Sequence, residues 1–140
     1  MQNIFVYGTL QSELIINKLT GKSFDFLPAI LSGYKRYCIK GCDYPAIIAE
    51  AGSETKGLVI MNVEDSDMKI LSFYEGDEYE KKIVSVILNN KPTNVLAFIW
   101  VKEIGLLENK DWDLQQFQKN SLLHYLNFVV PETLAAFYKK

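Results

Sequence analysis

The sequence predicts an α+β fold in which short strands dominate and close, or nearly close, on themselves. Three observations lead there. Apolar, β-forming runs recur between turn signals from Gln2 to Val101. Helical segments with recognisable caps are interspersed among them rather than gathered at one end. No internal repeat, low-complexity tract or linker interrupts the chain, so residues 1–140 are expected to form one domain. Closure would hide strand edges, and the mouth of such a barrel is a natural pocket.

The elements follow in order. Gln2 to Val6 is a short strand rich in β-formers, and Tyr7 to Leu10 is the turn that ends it. Ser12 caps a short helix with Leu14, Ile15 and Leu19 on its apolar side, and Thr20-Gly21 ends it. Phe24 to Ile39 reads as extended chain with a bend at Gly33. Pro28 and Gly33 argue there for an edge or a bulge. Tyr44 to Ala49 resumes extended chain, Ala51-Gly52-Ser53 is a turn signal, and Lys56 to Val63 is a strongly apolar strand. The acidic Glu64 to Asp67 starts a helix that runs to about Tyr74, and Gly76 stops it. Tyr79 to Leu88 and Thr93 to Val101 form a hairpin about Asn89-Asn90-Lys91-Pro92. Asp111 is expected to cap a helix carrying Leu114, Phe117, Leu122, Tyr125 and Leu126. Pro131 opens a last helix, Glu132 to Tyr138.

Composition narrows the function. Fifteen basic residues face 17 acidic ones, for a net charge of −2 and no basic stripe, which argues against a nucleic-acid partner. No apolar run reaches the roughly 20 residues of a spanning helix, and the amino terminus enters a strand without a leader pattern. A cytoplasmic protein without a membrane partner is the expectation, and monomer is the default at this size. Cys38 and Cys42 with the single His124 do not supply the four ligands of a zinc site, so neither metal nor cofactor is expected. One histidine also leaves a Ser-His-Asp triad without support.

Two stretches carry chemistry. Tyr7-Gly8-Thr9-Leu10, at a strand end, can present successive N–H groups as an anion-binding concavity, and Gly8 allows close approach to the backbone. Met68, Leu71 and Glu75 fall at i, i+3 and i+7, which puts a carboxyl group on the apolar face of its helix. Burial there raises its pKa and suits it to proton transfer near neutral pH.

Phe5-Val6-Tyr7-Gly8-Thr9-Leu10 resembles the opening motif of the gamma-glutamylcyclotransferase-like family. Gly33-Tyr34, Tyr44-Pro45-Ala46, Gly57-Leu58-Val59-Ile60 and Leu71-x-x-Tyr74-Glu75-Gly76 followed by Tyr79 resemble later parts of its pattern, over roughly residues 3 to 101. Gln11-Ser12, Ser72 and Lys81 depart from residues common among relatives. The resemblance implies a small mixed β-barrel with flanking α-helices. It also implies that Glu75 is the acid/base residue, that the backbone of Tyr7, Gly8, Thr9 and Leu10 holds a glutamyl group, and that Tyr79 lines the same cavity. The expected activity is conversion of a small gamma-glutamyl amine, dipeptide or isopeptide-like amide to 5-oxoproline and a free amine, without a cofactor. Tyr79 O–H is a further candidate donor. The loops Cys38 to Tyr44 and Glu103 to Asp111 are expected to set the amine half of the substrate. The alternatives are a non-catalytic small-molecule binding domain on the same barrel, or an interaction domain with no open pocket.

Overall fold

A computed structural model describes residues 1–139. Its central feature is a sheet that returns on itself. The strands β1 (Gln2–Val6), β2 (Phe26–Ile39), β3 (Pro45–Val63), β4 (Tyr79–Leu88) and β5 (Lys91–Trp100) pair in the order β3-β1-β5-β4-β2, and β2 pairs again with β3. The two-residue strand β6 (Leu107–Glu108) adds to β2 at Cys38 and Ile39. Only the β1–β5 pairing is parallel; the others are antiparallel, so the ring is mixed as expected.

Alternation of side chains sorts the core. Phe5, Tyr7, Ala29, Leu31, Val59, Val84, Val86, Val95, Ala97 and Ile99 form one buried cluster. Ile4, Val6, Ile60, Phe98 and Trp100 belong to a second, shared with helical residues. Neighbours in sequence thus face opposite sides of the ring, as the period of two requires. The helices that cover the second face are α1 (Glu13–Thr20), α2 (Asp65–Glu75), α3 (Leu114–Asn120), α4 (Leu122–His124) and α5 (Val130–Tyr138). A π-helical turn, Tyr125–Val129, joins α4 to α5. Phe73 of α2 meets Phe137 of α5 edge-on, with ring centroids 5.5 Å apart.

Local chemistry explains most boundaries. Ser12 accepts the Ile15 N–H at the start of α1, and Gly21 ends it in the left-handed region at φ 72°. Of the apolar residues assigned to α1, Ile15 and Leu19 are buried with Ile16, whereas Leu14 faces solvent. Asn89 and Asn90 take φ of 52° and 64°, the two positive values a tight hairpin turn needs, so β5 already begins at Lys91. The cap of α3 is Asp113, not Asp111: its carboxylate accepts the N–H groups of Gln115 and Gln116.

The expected turn at Ala51-Gly52-Ser53 is instead part of one long strand, β3. Ser32 pairs with Glu54 and Tyr34 with Ala49, so extra residues of β3 stand opposite Gly33. Gly33 and Gly52, at φ 83° and 84°, absorb that bulge. The ladder resumes beyond it, because turn residues interrupt pairing only when the partner strand ends there too.

Gly57 lies where β3 passes close against the end of β1. A Cβ there would run into the Val6 carbonyl and come within 2.8 Å of the Phe5 ring. Gly57→Ala is therefore expected to cost about 2 kcal/mol or more, lowering the melting temperature by about 5 °C. Gly105→Ala, with open space around it, serves as the control and should melt with the parent protein.

Candidate active site

The site begins where β1 leaves the sheet. Tyr7 is buried, and its hydroxyl donates to the Phe98 carbonyl, which anchors the end of β1 to β5. Gly8 follows with φ −126° and starts a short 3₁₀ turn, Thr9–Gln11. The space a Cβ would need at Gly8 is taken by the Pro45 ring, 2.8 and 2.9 Å away. Glycine is thus required by the packing of Pro45, beside any need for ligand approach. The first N–H groups of a helical turn have no preceding helical carbonyl to bond, so those at Thr9 and Leu10 have no acceptor within the turn itself.

Glu75 arrives from the other direction, as the last residue of α2. Met68 and Leu71 are buried on the same face, as their spacing predicts. Gly76, at φ 82°, turns the chain sharply away, and Tyr79 then opens β4. Glu75 and the turn residues Tyr7, Gly8, Thr9 and Leu10 line one inner recess together with Tyr79. That recess holds about 20 Å³, room for roughly one water-sized group. A second chamber of about 130 Å³ shares Thr9, Tyr44, Glu75 and Tyr79 with it and adds Tyr74, Tyr125 and Val129.

The electrostatics are those of a dry carboxyl group. Desolvation raises the Glu75 pKa from its ordinary 4.5 to about 8. Its place at the C-terminal end of a helix acts in the same sense. The residue is half-buried, and its carboxyl group opens onto the cavity. Burial, and then the charge of Glu75, raise the hydroxyl pKa of Tyr7 and Tyr79. Tyr74 is raised mainly by burial, with Glu75 adding to it, and Tyr125 by burial with Asp43, Cys42 and Glu75. These tyrosines stay neutral hydrogen-bonding groups. Among the described residues, no lysine, arginine or histidine lines either cavity.

Hydrogen bonds fix the walls. Thr9 Oγ1 and the Tyr74 hydroxyl are 2.8 Å apart. Tyr44 donates to Glu78 at 3.1 Å, so Glu78 belongs to the rim rather than to bulk solvent. The Tyr79 hydroxyl donates to the Pro45 carbonyl at 2.7 Å. Its proton is therefore engaged within the protein, and Tyr79 serves as wall and anchor in place of the donor expected for a ligand. Of the two loops expected to shape the outer part, only the first contributes to the chamber, through Tyr44. Tyr125 and Val129 of the π-helical turn take the place assigned to Glu103 to Asp111. Tyr74 stood beside Glu75 in the motif and could have been read as a site residue. Tyr125 lay in an ordinary helical apolar stripe and gave no such signal.

The pattern of the family described as "Gamma-glutamyl cyclotransferase, AIG2-like" matches residues 4–114. The chain belongs to that family. Among its relatives, Protein AIG2 C of Arabidopsis thaliana is 30% identical over 129 residues, covering 91% of this chain and 76% of that protein. A solution structure of an Arabidopsis thaliana protein superposes with a TM-score of 0.70 at 27% identity, over 99% of this chain and 82% of that one. A structure titled gamma-glutamyl cyclotransferase reaches 0.64 at 19% identity, over 91% and 85% of the two chains, and shares the fold. The family match ends at residue 114, so Tyr125 and Val129 lie beyond it.

The raised pKa has a consequence for stability. Between pH 4.5 and 8 the folded protein binds the Glu75 proton more tightly than the unfolded chain does. Stability from this group is complete below the lower value and is lost as pH rises, at about 1.4 kcal/mol per unit. Glu75→Gln should therefore melt with the parent protein near pH 4.5 and increasingly above it up to pH 8. Thermal unfolding across that range checks this, and a difference that stays constant would contradict the assigned pKa.

Proposed function

We propose that this protein is a cyclotransferase converting a small gamma-glutamyl amine to 5-oxoproline and the free amine, with Glu75 as its general acid and base. The observation that carries this reading is the Glu75 carboxyl, desolvated and without a cation in the cavity wall, in one recess with the Tyr7 to Leu10 turn. Family membership agrees with the class of reaction.

The substrate supplies its own nucleophile. Its α-amine attacks the γ-carbonyl carbon, a C–N bond closes the five-membered lactam, and the original amide C–N bond breaks. Glu75 takes a proton from the α-ammonium before attack and passes it to the departing amine nitrogen; the second proton, which the α-nitrogen loses as the lactam N–H forms, takes the same route, so the amine leaves as its ammonium. The free carboxyl is largely protonated at neutral pH. An ammonium group placed beside it favours the ionised form, so the substrate prepares its own base. The turn amides of Thr9 and Leu10 receive an anionic oxygen of the substrate in the small inner recess, and the rest of the glutamyl chain folds beside Glu75 in the adjoining chamber, where proximity contributes most of the rate.

The outer chamber faces the amine half. Its wall is four tyrosines with Thr9, Glu75 and Val129, and it offers no cation for a carboxylate. Gamma-glutamyl amides of simple amines therefore fit better than gamma-glutamyl amino acids, whose extra carboxylate would be buried unpaired. In competition, gamma-glutamyl-n-butylamide should exceed the corresponding amino-acid conjugate by about tenfold or more in kcat/KM.

Release of 5-oxoproline from such amides, followed chromatographically, tests the reading. Glu75→Gln should fold, bind 5-oxoproline and lose turnover by at least about a hundredfold. The parent protein's kcat/KM should climb with pH toward a plateau above about 8, as the free carboxyl ionises. Full activity in Glu75→Gln would remove the assignment. Binding without any product across a broad amide panel would favour the non-catalytic binding domain.

A further inference from the structure

Arg36 stands behind the turn that lines the recess. It lies on β2 opposite Ile47, and its side chain is largely buried at 16% exposure. Its Nη1 donates to the Tyr7 carbonyl at 2.9 Å and to the Lys56 carbonyl at 3.2 Å. Its Nε and Nη2 donate to the two carboxylate oxygens of Asp111, at 2.8 and 3.3 Å. Asp111 Oδ1 also accepts the Trp112 N–H, and the Trp112 indole donates to the Asp43 carbonyl, next to Tyr44 of the cavity wall. Arg36 lines a recess on the outer surface with Lys35, Ser53 and Asp111 and does not contribute to either cavity wall.

The Tyr7 carbonyl and the Gly8 N–H belong to one planar trans peptide and point in opposite directions. Holding the carbonyl from outside therefore fixes the direction of the N–H. A cation on the carbonyl oxygen also polarises the peptide and strengthens that N–H as a donor. Resting on the cyclotransferase reading of the recess, we propose that Arg36, anchored by Asp111, is a positioning residue that aims the Gly8 N–H at the anionic oxygen of the bound glutamyl group. Arg36 also lowers the Tyr7 hydroxyl pKa, against the larger effects of burial and Glu75.

The geometry needs a fork. A lysine carries the charge but is a point donor, which does not reproduce the fixed spacing between the Tyr7 carbonyl and Asp111. The test uses Arg36→Gln, Arg36→Lys and Asp111→Asn in the full chain. It measures KM and kcat for gamma-glutamyl-n-butylamide, 5-oxoproline affinity by calorimetry, and the melting temperature. Arg36→Gln should raise KM about tenfold and weaken 5-oxoproline by a similar factor, the effect of one misdirected charge-assisted bond. Arg36→Lys should recover melting temperature without recovering KM, and Asp111→Asn should shift KM in the same direction by less. If Arg36→Gln does not fold, the other two variants decide. A purely structural residue would lower the active fraction, and so kcat, at unchanged KM and affinity. That result, or full recovery of KM by lysine, would overturn the proposal. A parent protein that neither binds 5-oxoproline nor forms it overturns the cyclotransferase reading first and this one with it, whereas normal activity with insensitive Arg36 variants overturns this one alone.

Discussion

Glu75 carries a carboxyl group into a space walled by tyrosine rings, the Tyr7 to Leu10 turn and a proline, with no cation among the described residues of the wall to compensate its charge. Keeping a carboxyl dry is costly in its ionised form, and here the cost appears as a pKa of about 8. Such a group keeps its raised pKa only while the surrounding structure holds counter-charges away from it. Much of the architecture answers that requirement. The closed sheet fixes the end of β1 from two sides, through β3 and β5. Pro45 seals the turn against Gly8, Tyr79 locks onto the Pro45 carbonyl, and Thr9 meets Tyr74. Every one of these contacts joins residues far apart in sequence, so the recess is as stable as the ring that builds it.

The ring depends on two long strands. β2 and β3 pair along most of their lengths and change register once, at Gly33 opposite the segment about Gly52. That bulge lets one continuous ribbon serve two neighbourhoods. Its hairpin end carries Cys38 to Tyr44 toward the cavity rim, and its far end brings Gly57 and Leu58 against β1. Arg36 sits on the hairpin side of the bulge, which is how a β2 residue comes to hold the Tyr7 carbonyl while its neighbours pair with β3.

Legibility in the sequence followed the range of the interaction involved. β1, the β4–β5 hairpin, the Ser12 cap and the α2 stripe with Glu75 depend on residues a few positions apart, and each was readable from spacing and turn chemistry. The family pattern linked Glu75 to the turn, which spacing alone does not do. Features decided by distant partners were not readable. Ala51-Gly52-Ser53 carries every local mark of a turn, yet its partner strand continues past it. Asp111 reads as the helix cap until Arg36, from β2, engages its carboxylate, and Asp113 takes the cap instead. The Tyr79 hydroxyl reads as a free donor until Pro45 accepts it. Tyr125 packs edge-on against Phe117 at 4.9 Å like a core residue, and only the π-helical turn carries it to the cavity wall.

The absence of cations in the cavity wall couples two properties that are usually treated apart. Recognition of a carboxylate on the amine half would call for a lysine or arginine in the outer chamber. That chamber shares Glu75 with the inner recess, so such a side chain would stand close to the Glu75 carboxyl. A cation at that range lowers a carboxyl pKa by about 1 to 3 units, toward permanent ionisation near neutral pH. An ionised Glu75 accepts a proton readily but returns it poorly to a departing amine. The one cation held near the turn, Arg36, avoids the conflict by acting on the far side of a peptide bond. On the proposed reading a polarised N–H carries that charge to the substrate, and no cation among the described residues enters the Glu75 cavity. On this argument, what the pocket accepts and how its carboxyl works follow from the same constraint. A cyclotransferase on this scaffold that took amino-acid conjugates would have to place its carboxylate partner outside the walls that Glu75 lines.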